Sequence, residues 1–193
     1  MNSKTEALDQ LIAQAEHYAK SSLRYAGRVP PTALLLGPGG RAMYVPSNLD
    51  NEQAKDQFAS TVRILAIAHE ATAVVVVLEA WSARAVPGEA LDPNIPASQA
   101  ANREEVVALI GEAAGLQKTK FFPIERNTSG AFVRFGQGQM PDCTHAEGRF
   151  AQLLLSRPPS AAEKALAQAI LEAQGMRPER PEYKRRMGAG HWH

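Results

Sequence analysis

Glu79 is the residue whose type and position best suit it to chemistry. It follows the run Thr72 to Leu78, which holds four consecutive valines, and it is followed by Ala80 and Trp81. On an extended strand Val75, Val77, Glu79 and Trp81 share one face, while Val74, Val76, Leu78 and Ala80 share the other. A carboxylate leaving an apolar strand beside an indole can be desolvated, which raises its pKa and suits it to general acid or base work. The structural alternative is an ion pair with Arg84, Arg103 or another arginine near the sheet end, because buried charge is ordinarily paired. One carboxylate names no reaction.

Cys143 and His145 stand two apart, just before and at the start of an expected helix whose dipole can lower a thiol pKa and create a nucleophile. No catalytic cysteine signature surrounds them, and a lone cysteine is commonly incidental. Cys143, His145 and the distant His69 lack the paired spacing of a metal site, so neither a metal nor a cofactor is expected. His17 and His69 lie on or beside apolar helix faces and read as core-edge residues. His191-Trp192-His193 makes only a weak, unselective metal grip. Gly37-Pro38-Gly39-Gly40 resembles a phosphate cradle, but no Lys-Ser/Thr follows it and no helix starts there, so it reads as a turn. Arg177, Arg180, Lys184, Arg185 and Arg186, interleaved with Tyr183 and followed by Trp192, form the one local basic excess. They could contact phosphates and stack on bases, or simply solubilise a tail whose charge Glu179 and Glu182 dilute.

The elements that must position these residues are well signalled. Ser3-Lys4-Thr5-Glu6 is a capping box, and Leu8, Leu11, Ile12, Ala15, Ala19 and Leu23 recur at helical spacing until Gly27. Ala33 to Leu36 and Arg41 to Val45 form a hairpin around Pro38-Gly39, which suits a type II turn. Asp50 or Asn51 caps a second helix carrying Ala54, Phe58, Val62, Leu65 and His69, running to about Ala71. Thr72 to Leu78 is the central buried strand. Residues 86 to 101, with three prolines, form a long surface loop that could serve as a lid or partner contact.

Over Asn102 to Gly115 the periodicity of Val106, Leu109, Ile110 and Ala113 predicts a helix, although Val106 to Ile110 also reads as a short buried strand. Lys118 to Arg126 and Ala131 to Phe135 are strands joined by the turn Asn127 to Gly130. Pro123 predicts that the first of them lies at an edge or carries a bulge. Thr144-His145-Ala146-Glu147 begins a helix bearing Phe150, Leu153 and Leu154. Ser160-Ala161-Ala162-Glu163 begins another, bearing Leu166, Ile170 and Leu171, which ends at Gly175.

Glu79-Ala80-Trp81 after its valine run, a proline-rich gap, then Asn102-Arg103-Glu104-Glu105 and an apolar run together resemble a loosely defined group of uncharacterised bacterial proteins. In that group a valine-run Glu-Ala-Trp strand precedes an Arg-Glu strand and a hairpin. The likeness covers residues 30 to 136 and carries no activity. It implies that residues 104 to 114 are strand, against their periodicity.

The chain of 193 residues, 45% apolar and 21% charged, is long enough for one substantial core. Its formal charge of +1, from 21 basic and 20 acidic side chains, sets up no global field toward nucleic acid or membrane. The lone cysteine suits a reducing compartment, and no apolar run approaches a membrane span or signal core, so the cytoplasm is expected. The sequence therefore predicts an α+β fold: a mostly antiparallel sheet of about five to six strands, packed by N-terminal, central and two C-terminal helices. Residues 1–175 form one domain and 176–193 an extended or disordered basic tail. The leading functional expectation is a non-catalytic binding or regulatory module, with a protein partner or self-association. The alternatives are an enzyme using Glu79 with Cys143 or His145 in a cleft at the sheet end, and a nucleic-acid binder acting through the tail.

Overall fold

In the computed structural model, residues 3–83, 92, 94–140 and 149–176 are described. Helix α1 (Ser3–Ala26) buries the predicted stripe: Leu8, Leu11, Ile12, Ala15, Ala19 and Leu23 are all at most 3% exposed. It stops where Gly27 takes φ 71, a conformation a side chain disfavours. Strands β1 (Thr32–Gly37) and β2 (Gly40–Tyr44) form the predicted hairpin. Its turn is not type II. The residue with positive φ is Gly40 (φ 104) rather than Gly39, so the left-handed step falls one position later than that turn requires.

Helix α2 (Glu52–Ala68) starts at Asn51, whose side-chain oxygen accepts a hydrogen bond from the Ala54 amide at 2.8 Å. It buries Phe58, Val62 and Leu65, and His69 serves as its C-cap. Strand β3 (Ala73–Ser82) carries the valines and extends through Glu79 and Trp81. A single 3₁₀ turn at Ala97–Gln99 is the regular structure among the described residues of the long loop; residues 84–91 and 93 lie outside them.

Residues 104–113 are strand. The helical periodicity is overruled because β4 (Glu104–Ala113) lies between β3 and β5 (Leu116–Arg126) and bonds to both. An apolar run buried on both faces satisfies either period, and the long-range ladder decides. Strand β6 (Phe132–Phe135) completes an antiparallel sheet of order β2-β1-β3-β4-β5-β6. Strand β5 is therefore interior rather than an edge, and it carries the predicted irregularity as a register shift between Glu125 and Arg126. Pro123 is tolerated because its missing N–H faces the side where β6 has left the ladder; there its carbonyl accepts from Gly136 at 2.8 Å.

Three layers result. On one face α1 covers Val75, Val77, Val107, Leu109 and Phe122. On the other, α2 and α3 (Ala161–Ala173) cover Val74 and Val76 through Phe58, Val62, Leu65 and Leu171. The capping box that opens α3 is formed: the Ser160 hydroxyl accepts from the Glu163 amide at 3.2 Å, and the Glu163 carboxylate accepts from the Ser160 amide at 2.8 Å.

The helix expected over Phe150 to Leu154 is not there, and the sequence expectation is corrected. Arg63 of α2 donates to the carbonyls of Arg149, Ala151 and Gln152, and Glu112 of β4 accepts the amides of Leu153 and Leu154. Side chains thus satisfy the backbone groups that a helical ladder would have used. Residues 149–159 form an irregular strap, with Gln152 at φ 55, and Leu153 still reaches the core. Only one of the two C-terminal helices is found among the described residues. The start of the other, residues 141–148, and the tail from residue 177 lie outside them.

Candidate functional site

The two short signatures of the sequence meet at one end of the sheet. The β3–β4 register sets Trp81 opposite Glu105 and Glu79 opposite Val107, so Glu79, Trp81 and Glu105 emerge on the face covered by α1. By the same alternation along β5, Phe122, Ile124 and Arg126 point to that face. Arg126 reaches Glu79 Oε1 from Nη2 at 3.0 Å and Glu105 through a fork of Nε to Oε2 at 2.9 Å and Nη2 to Oε1 at 2.8 Å. Its Nη1 donates to the Gly27 carbonyl at 3.1 Å, and Glu79 Oε2 accepts from the Val29 amide at 2.8 Å. The cluster ties the exit of α1 to three strands.

Its electrostatics follow from two carboxyls sharing one guanidinium. Burial, reinforced by the nearby Glu105, raises the Glu79 pKa against the opposing pulls of the Val29 amide and Arg126. The hydrogen bond from Arg126 lowers that of Glu105. Glu79 is thus the member of the pair that holds a proton more readily. Both its oxygens are engaged within the protein, and this geometry suits anchoring.

The partner of Glu79 is Arg126, supplied by β5, and not Arg103. Arg103 lies over the half-exposed Trp81, 5.2 Å from its ring centroid, in a cation–π contact. Arg84, Cys143, His145, Arg177, Arg180, Lys184, Arg185 and Arg186 lie outside the described residues. Among the described residues no three His, Cys, Asp or Glu side chains group as a metal site would require. No described helix is long and apolar enough to cross a membrane. His69 caps α2, and His17 is exposed rather than at the core edge.

A second feature was not read from the sequence. Helix α1 packs chiefly on β3 and β4, which among the described residues leaves the β1–β2 edge of the same face open. A groove of about 690 Å³ results, floored by Leu11, Leu34 and Met43 and rimmed by Gln10, Ala13, Gln14, His17, Tyr18 and Arg41. Arg41 has no hydrogen bond or ion pair to any described residue. The available signal was the hairpin's alternation, which puts Arg41 and Met43 on the face of Leu36 and Leu34. Where α1 stops covering that face is a tertiary matter.

No family model, curated protein or solved structure matches the chain. The resemblance therefore rests on its two signatures, which here form adjacent, paired ends of β3 and β4.

Proposed function

We propose that the protein is a non-catalytic binding module whose ligand surface is the groove between α1 and the β1–β2 edge. The supporting observation is a contrast within β1. Ala33 and Leu35, facing α2, are at most 1% exposed, whereas Leu34 and Leu36, on the α1 side, are only partly buried. An apolar channel of this volume with a few convergent polar groups has the character of a ligand site. Glu79, the strongest catalytic candidate, weighs the other way, because its oxygens are committed to Val29 and Arg126. The single cysteine favours a reducing compartment, the cytoplasm, as the place of work.

Methyl-detected NMR during a screen of small apolar compounds tests this. Shifts should appear at Leu11, Leu34 and Met43, vanish when Ala13→Trp fills the groove, and persist in Glu79→Gln. Binding that responds to Glu79→Gln and ignores Ala13→Trp would move the site to the sheet end and end the groove reading.

A further inference from the structure

We propose that the occupant of the groove is an extended peptide segment of a partner protein, added to the sheet alongside β2, with an acidic residue two positions from a large apolar one. This rests on the groove being the ligand surface and names what enters it.

Among the described residues strand β2 is the outer strand of the sheet, paired only with β1, so its outward backbone groups can receive another strand. The groove runs beside that strand, with Met43 in its floor and Arg41 at its rim. Arg41 and Met43 share the α1 face of the sheet, as the β1–β2 register requires. Residues of an added strand that stand opposite these two are themselves two apart, and both project into the groove. The one opposite Met43 meets an apolar floor. The one opposite Arg41 meets the only formally charged side chain among the described residues of the lining, and a carboxylate there supplies the missing countercharge.

A second copy of this chain fits less well. In a two-fold β2 pair centred on Ala42, Arg41 stands against Met43 of the other copy. Centred on Arg41, the pairing sets two arginines together, and centred on Met43 it sets Arg41 against Val45. None of these registers brings an acid to Arg41.

The test is selection from a random heptapeptide display library on the intact protein, followed by synthesis of the enriched peptides. Enriched sequences should carry an acid and a large apolar residue two apart. Their binding should slow exchange at alternate amides among Gly40–Tyr44. Arg41→Glu should weaken binding roughly 10-fold, and replacing the peptide's acid by lysine should restore it in that variant. Ala13→Trp should abolish binding, with thermal melts confirming that both variants fold.

Peptides that are lost on Ala13→Trp but lack the acid, or leave the β2 amides unchanged, overturn the strand-addition proposal and keep the groove. Peptides indifferent to Ala13→Trp overturn the groove reading itself. A selection that enriches nothing overturns the peptide proposal, while the small-compound screen still judges the groove. If sedimentation shows a dimer whose β2 amides are protected without peptide, the second copy is the occupant and the proposal fails.

Discussion

Arg126 is the residue on which the sheet end depends. Its guanidinium serves two carboxylates and a helix-end carbonyl, so each partner's ionisation depends on the others. Glu79→Gln mimics the protonated acid: the amide oxygen still accepts from Val29 while the NH₂ can donate toward Glu105. At about pH 7.5 the substitution should change stability by no more than about 1 kcal/mol, whereas Glu105→Gln should cost about 2 kcal/mol through its lost charged hydrogen bonds. The pH dependence separates them further. Because the folded pKa of Glu79 is raised, its ionisation penalises the fold above that pKa, and the penalty is relieved as pH falls through it. Because that of Glu105 is lowered, its contribution is present above the ordinary carboxyl value and is lost as pH falls through the folded one. Denaturant melts of Glu79→Gln should therefore lack the wild-type gain on mild acidification. A large loss in that variant, equal at every pH, would show that the charged form of Glu79 is what the fold needs.

Among the elements, the strap at residues 149–159 shows how side chains can replace a ladder. Glu112 holds two consecutive amides and Arg63 three carbonyls, so this stretch is anchored from both α2 and β4. Glu112→Ala leaves the Leu153 and Leu154 amides without their acceptor and should cost about 2 kcal/mol. Hydrogen exchange should then quicken at those two amides before it does in β3 or β4. Exchange unchanged from wild type would mean that water or a neighbouring carbonyl satisfies them. Gly37 marks another close contact between elements, since a Cβ there would lie 2.3 Å from the His69 carbonyl oxygen that ends α2.

At the scale of the whole molecule, stability resides in the central strand, covered on both faces. Val76→Ala removes buried methyls from a fully enclosed site and should cost about 2–3 kcal/mol in urea unfolding. Leu166→Ala, on the outer side of α3 and 63% exposed, should stay within about 0.5 kcal/mol. Equal costs would mean that α3 packs against something through its outer side.

Much of this was legible in the residues because it is local. The stripe from Leu8 to Leu23, the cap at Ser160, the hairpin at Pro38-Gly39 and the valine strand each follow from short-range sterics and hydrogen bonding, so the amino-acid sequence alone determined them. What it left open depended on partners far along the chain. Residues 104–113 became strand because β3 and β5 lie on either side, and Phe150 to Leu154 escaped a helix because Arg63 and Glu112 arrive from elsewhere. Arg126 reached Glu79 through the register set at the Ala113–Leu116 turn, where Gly115, which reads equally as a helix stop, takes φ 74. The groove beside β2 belongs wholly to the tertiary structure: it exists because α1 lies over β3 and β4 and not over the sheet's edge, a placement that packing decides and no single segment encodes.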